Sequence, residues 1–375
     1  MNLHRTLAIA RRIAEFFRRD HRTLALMFVA PIVIMALLGW VIRDEKAPAS
    51  TVAIVNDAGP AGAIALGRIS NSLTQDGFTV RSDVTSDDAA RNALKDGSID
   101  IALLFSLQSG SPSVVIVTPG LSPAEDSSRV GSLRGALANA FSSGGSSIIE
   151  QQTIYNSGGT FFDAFAPALV GFVVFFLVFI LTGISFLRER VGGTLERLLA
   201  TPVQRSEIVV GYSLGFAIFA TLQVIIVELF VLGTIHIGAI GPLPEINFGL
   251  GVPIAGSPLL AFVITVLLAI SAVNLGIFLS TFARTEFQIL QFIPLVIVPQ
   301  ALLAGIIWPV SSLPSVLIPI ARVLPMTYGI EGLQEVLIKG SGLDSGTVQL
   351  DIIVLAGIAI VLALVATLTI RREVA

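Results

Sequence analysis

The sequence predicts an α-helical polytopic membrane protein, with about six transmembrane helices and one small α/β domain inserted outside the membrane. Hydrophobic residues fill 54% of its 375 positions and charged residues only 13%. A soluble domain carries about 25% charged residues. The mean hydropathy of +0.86 points the same way. Six stretches reach the roughly 20 apolar residues that a helix needs to cross a hydrocarbon core about 30 Å thick. Between the first and second of them, residues 50–155 turn polar and mix strand with helix signals.

Taken in order, residues 1–23 come first. Leu3, Leu7, Ala10, Ala14 and Phe17 recur at spacings of three and four, with arginines on the other faces. That pattern suits a cytoplasmic amphipathic helix lying in the headgroup layer; a basic flank that only fixes topology is the other reading. Residues 24–42 are the first span. A cleaved signal peptide is a rival, with Ala47-Pro48-Ala49 near a cut site. The apolar run of 19 residues weighs against it, because signal cores run about 7–15.

Residues 43–164 form the extracytoplasmic α/β domain. TVAIVND is a strand closed by a turn, and 61–75 reads as helix. FTVRSD is a second strand. Ser86 or Thr85 caps a helix that stops at Gly97. IDIALLFS and SVVIVT are two more strands, and a helix from about 123 to 152 leads back, weakened at Gly144-Gly145. Alternation of this kind implies a partly parallel sheet. Gly97 and Gly110 read as turn residues. Residues 43–164 hold no histidine, so a Ser-His-Asp site is unavailable there.

The rest, 165–375, reads as a five-helix transmembrane domain with spans at 165–187, 208–235, 257–280, 287–307 and 350–370. None has an interior Lys or Arg. Basic residues gather on one side. They are Arg5, Arg11, Arg12, Arg18, Arg19 and Arg22 in the leader, Arg188, Arg190, Arg197 and Arg205 after the second span, Arg284 after the fourth, and Arg371 and Arg372 in the tail. Loop 236–256 has none and loop 308–349 only Arg322 and Lys339. The positive-inside rule therefore places both termini in the cytoplasm of a multi-pass cell-membrane protein. Trp40 and Trp308 fall where an outer aromatic belt would put them. A net charge of −3 gives no nucleic-acid partner, and the chain has no cysteine. His4, His21 and His236 are too scattered to suggest a metal site.

The loop FLRERVGGTLERLLATPVQRSEIVVG, residues 186–211, carries the functional signal. Gly192-Gly193 breaks the incoming helix, Thr194 is a good N-cap, and Glu196 sits where the helix dipole favours an anion. Leu195, Leu198 and Leu199 make an apolar face in need of a partner or lipid. Pro202 ends the short helix, and Ser206 can cap the next. At these residues the chain resembles the permeases of ABC type-2 exporters, in the branch with a large outside domain after the first span. Their E-x-GTLE-x-LL-x-TP-like segment is the coupling helix seated in a cleft of the ATP-binding subunit. Glu189, Gly193, Thr194, Leu195, Glu196, Leu198, Leu199, Thr201 and Pro202 match it. Val191-Gly192 departs from it, since the family often has an acidic residue there. LSTFARTEFQ, 279–288, is similar to the family's short turn between the fourth and fifth spans. WPVSSLPSVLIPIARVLPMTYGIEGL, 308–333, is similar to its external hairpin.

The resemblance implies an ATP-binding cassette partner that holds ATP and Mg, and a second permease copy or paralogue. It also implies drug or small-molecule efflux. The sequence has no phosphate-binding loop and no HExxH or GxSxG motif, so no catalytic residue is assigned and the chain is read as a non-enzyme without a cofactor of its own. Pro309, Pro314, Pro319 and Pro325 forbid a continuous helix over 308–335. A broken external gate or a packed surface loop both fit. Phe172, Phe175, Phe176 and Phe179 form an aromatic stripe suited to an apolar substrate or to helix packing. Gln291 and Gln300 are further cavity candidates, and Gln223 and Asn274 are polar groups within spans. Glu228 reads as a hydrated residue near the outer surface, about 33 Å along its helix from Ser206. The function expected is ATP-driven outward movement of an apolar or amphipathic small molecule or lipid. The alternatives are an ion-gradient-driven carrier, and a membrane-anchored receptor or scaffold acting through the outside domain.

Overall fold

The computed structural model describes residues 2–41, 51–59, 63–75, 78–108, 111–119, 130, 133, 137, 148–153, 161–233, 235–237, 246–307 and 309–370. Gly110, Gly144-Gly145, Trp308, Arg371, Arg372 and the Ala47-Pro48-Ala49 segment lie outside them. The chain divides into a unit of residues 41–165 and a unit formed by residues 1–40 with 166–375.

The smaller unit is a five-stranded sheet, β1 (Thr51–Asn56), β2 (Thr79–Arg81), β3 (Ile101–Gln108), β4 (Ser111–Thr118) and β5 (Ile148–Thr153), in the order β2-β1-β3-β4-β5. β1 is parallel to β2 and β3, with Val52 opposite Ile101, and β3 and β4 pair antiparallel. Period-two alternation sends side chains to both faces. On one face Val52, Leu103 and Ile116 pack with Ile69 and Leu73 of α3 (Ala63–Gln75) and with Val130, Leu133 and Leu137. On the other, Val55, Ala102 and Leu104 pack with Ala90 and Leu94 of α4 (Asp87–Lys95). Ser86 caps α4 by accepting from Ala89 N at 3.2 Å, and Gly97 leaves it at φ 68°.

The helix expected from 123 to 152 does not run its course. Val130, Leu133 and Leu137 are helical, but residues 148–153 form β5, parallel to β4 from Ser113↔Ile148 to Thr118↔Thr153. The β-branched pair Ile148-Ile149 favours a strand.

The larger unit opens with α1 (Leu3–Arg19) and α2 (His21–Val41), bent 91° against each other. Besides that bent pair, which counts as one further candidate span, five helices among the described residues are long and apolar enough to cross a bilayer. They are α5 (Phe161–Val191), α7 (Arg205–Leu232), α8 (Pro258–Ser280), α9 (Glu286–Leu303) and α12 (Gly346–Thr369). The short α6 (Thr194–Leu199) links α5 to α7, and β6 (Ile235–Ile237) pairs with β7 (Ile246–Phe248) after α7. α8 lies against α7, α11 and α12. Asn274 stitches them, accepting from Ser213 Oγ at 2.5 Å and donating to Ala359 O at 2.9 Å.

The proline-rich stretch splits into a 3-10 turn (Val310–Ser312), α10 (Ile318–Ala321) and α11 (Pro325–Leu337). α11 is no surface loop, because ten of its residues are buried. A Cβ on Gly329 would sit 2.6 Å from Leu268, and Gly171 of α5 lies against Ile330 and Leu333. At 13 residues, α11 is about 20 Å long and too short to span.

The stripe expected on α1 divides. Ala10 and Phe17 are buried, joined by Ile9 and Ile13, whereas Leu3 and Leu7 are 64% and 51% exposed. The buried face packs on α7. Phe17 lies 5.6 Å from Phe216 and 5.0 Å from Phe219, ring to ring. Gly211 and Gly215 make this possible, since a Cβ on either would meet Ile9 at 2.8 Å or Ile13 at 2.7 Å. This is the small-xxx-small device by which membrane helices approach closely.

Candidate coupling site

The element after α5 is built by a turn that only glycine takes without strain. Gly193, not Thr194, is the N-cap of α6, at φ 72°, and makes no side-chain cap bond. Thr194 is the first helical residue. A left-handed cap costs a Cβ-bearing residue energy, so the chain reverses at the glycine. Thr201 Oγ1 donates to Leu198 O at 2.6 Å as α6 ends, ahead of Pro202. The next helix is capped by Gln204 rather than Ser206, in a reciprocal box with Glu207.

The leucines of α6 do not form an exposed face. Leu195 and Leu199 are 3% and 9% exposed and Leu198 is half-buried. Successive apolar residues on so short a helix serve first to anchor it. The outward surface is instead Val191, Gly192, Glu196, Arg197, Ala200, Thr201 and Pro202.

Three consecutive residues at the end of α5 tie that helix to its neighbours. Arg188 reaches Glu286 at the start of α9 through contacts of 2.7 and 3.2 Å. Glu189 Oε2 accepts from Arg12 at 2.7 Å and from Tyr212 OH at 2.8 Å, while Arg12 also donates to that hydroxyl at 2.5 Å. Arg190 donates to the carbonyls of Thr281 and Ala283 in the turn between α8 and α9. Leu187, Ala283 and Ile289 pack beneath. Two segments far apart in sequence, 186–211 and 279–288, thus meet at one end of the bundle. At that end Glu207 accepts from Gln204 N at 2.9 Å and from Asn2 N, and Arg5 donates to Pro202 O. The segments that flank α6 on either side are thus bonded to α1, α7, α9 and the α8–α9 turn.

The candidate cavity residues separate. Phe175 and Phe179 are 0% and 1% exposed and stack on each other in the core, while Phe172 and Phe176 stack half-buried. Phe175 and Phe179 are packing residues, and the four do not share one exposed stripe. Gln291 is exposed on α9. Gln300 is buried, accepts from Met326 N at 3.3 Å, and joins Pro325 in the wall of a cavity of about 640 Å³. Pro309 and Pro314 are exposed. Among the described residues no group of His, Asp or Glu is placed to hold a metal.

The remaining polar groups within the spans are buried more deeply than expected, and one of them, Asp351, escaped the sequence reading. Glu228 is 8% exposed rather than at an open surface, and accepts from Thr265 Oγ1 at 2.8 Å. Counting residues from the helix start gave its height but not the neighbour covering it. Asp351 lies within α12, 0% exposed, and neither carboxylate oxygen has a hydrogen-bond partner among the described residues. Gln223 is likewise enclosed with its amide unpartnered. The signal for the α1–α7 contact was the G-x-x-x-G of Gly211 and Gly215, visible in an apolar run.

Comparison with known proteins adds a family. The family described as "ABC-2 family transporter protein" matches residues 21–368. ABC transporter G family member 20 of Dictyostelium discoideum is 32% identical over 222 residues, 59% of this chain and 28% of that protein. The probable multidrug ABC transporter permease YbhS of Escherichia coli (strain K12) is 28% identical over 181 residues, 47% of this chain and 43% of its own length. The linearmycin resistance permease protein LnrN of Bacillus subtilis (strain 168) is 28% identical over 178 residues, 47% and 42% of the two chains. Each match spans less than half of the relative's length.

Proposed function

Because this chain belongs to the ABC-2 transporter family, we propose that it is the membrane permease of an ATP-driven exporter that moves an apolar or amphipathic small molecule or lipid outward. The observation that carries the proposal is α6, anchored by Leu195 and Leu199 and presenting Glu196, Arg197, Thr201 and Pro202 away from the bundle. A short helix whose flanking residues are bonded to several helices is what an external motor needs to grip. The motor is an ATP-binding cassette subunit, which holds ATP and Mg, and a second permease copy or paralogue completes the assembly. Both termini and α6 lie on the cytoplasmic side, as the basic residues at that end favour.

Closure of the cassette subunits on ATP displaces α6. Arg188 and Arg190 pass the movement to α9 and the α8–α9 turn, and Glu189 passes it to α1 and α7. Gln291, exposed near the start of α9 and the α8–α9 turn, belongs to the cytoplasmic mouth of the translocation path. The half-buried Phe172 and Phe176 belong to the same path, with Pro309 and Pro314 at its outer end as part of the gate. Relatives named for multidrug transport and linearmycin resistance support the outward direction.

The buried carboxylates of Glu228 and Asp351 are what an ion-gradient-driven carrier would use. One assay separates the two readings. Inverted vesicles containing this chain and its cassette subunit should take up a lipophilic fluorescent dye on addition of ATP, with no loss when an ionophore is present. Arg197→Glu should abolish uptake. Uptake that needs no ATP and collapses with the ionophore would replace the exporter by a carrier.

A further inference from the structure

The cavity of about 640 Å³ is walled by α8, α9, α12 and the start of α11, with Leu275, Leu295, Gln300, Pro325, Val354 and Gly357 among its lining. We infer that this cavity is a binding site for the acyl chain of a bilayer phospholipid, entered sideways between α9 and α12.

Three observations carry the inference, and none of them depends on ATP driving transport. The volume lies within the roughly 300–1,000 Å³ of ligand pockets, which are mostly apolar with a few polar groups. Here Gln300 is the polar side chain of the wall, and its carbonyl oxygen is already engaged by Met326 N. Water gains little in such a space, because it needs two to four polar partners. The cavity also opens on the outer surface of the bundle. Its rim residues Leu295 and Val361, near the middle of the spanning helices α9 and α12, are apolar and 69% and 56% exposed. At that depth the surrounding medium is hydrocarbon, so a lipid chain is the occupant at hand. Finally, Gly357 keeps the space open. A Cβ built on it meets no heavy atom within 4 Å, so nothing in the packing of α12 requires glycine there, and a larger side chain would fill the void without displacing a neighbour.

The test uses the full chain in lipid nanodiscs containing a phosphatidylcholine with a photoactivatable diazirine on one acyl chain. After illumination, adducts are mapped by mass spectrometry. Adducts should concentrate on residues 295–300 and 354–362 of the wild type. They should be lost in Gly357→Phe and kept in Ile353→Phe, which changes a lipid-facing residue outside the cavity wall. Adducts spread evenly over the outward faces of α2 and α7 would overturn the inference, as would undiminished labelling in Gly357→Phe. A single cysteine placed at Val361 is unique in this cysteine-free chain. Its ready disulfide formation between two copies in the membrane would also overturn the inference, by showing that a second copy covers the opening. The wild-type map decides the matter even if Gly357→Phe fails to fold.

Discussion

Arg12 looks in sequence like one more basic residue that fixes topology, yet its guanidinium bridges Glu189 and Tyr212 across three helices. Hydrogen bonds to charged groups contribute about 1.5–3 kcal/mol, and Arg12 is partly exposed, so Arg12→Ala should cost about 1–2 kcal/mol. A fall in melting temperature in detergent reads this out, and a double-mutant cycle with Tyr212→Phe should show non-additivity. Additive effects would mean that the three side chains do not act together. Gly215 sets a steric limit instead. Because its Cβ would lie 2.7 Å from Ile13, Gly215→Leu must push α1 away, at a cost of about 1–3 kcal/mol for overpacking. Proteolysis of the chain between α1 and α2 should accelerate in that variant. Unchanged protection would place α1 elsewhere than on α7.

At the scale of elements, α6 separates anchoring from presentation. Leu195→Asp buries a charge among apolar neighbours and should destabilise the coupling end by several kcal/mol, on the order of the unpaired-charge penalty. Arg197→Glu lies on the exposed face and should leave stability within about 0.5 kcal/mol while weakening capture of the partner. Leu198→Asp, on a half-buried position, should do some of both. Equal loss of stability in the Leu195 and Arg197 variants would show that α6 has no free face. The helix itself was legible, because Gly192-Gly193 and Pro202 bracket it. Its orientation was not, because six residues are too few for periodicity to tell a face that seeks a partner from one that seeks its own core. Residues 148–152 were read as the end of a helix, although Ile148-Ile149 pair with β4.

Across the whole molecule, hydropathy and length located the spans because the bilayer demands about 20 apolar residues whatever the fold. Four of the five strands of the smaller unit's sheet were legible from β-rich runs bounded by turns. What stayed hidden depends on which helices touch. The burial of Glu228 and Asp351, the division of the phenylalanine stripe, and the union of segments 186–211 and 279–288 at one end are long-range facts. Local patterns carry no record of them. In the proposed mechanism that union is what gives one grip on several helices.

The most direct measurement is gentle affinity purification of this chain from its native membrane, with stoichiometric identification of what accompanies it, repeated with Arg197→Glu. An ATP-binding cassette subunit in equal amount with the wild type, and depleted with the variant, is the expected result. Recovery of the chain without any nucleotide-binding partner, or a partner held equally well by Arg197→Glu, would contradict the role given to α6.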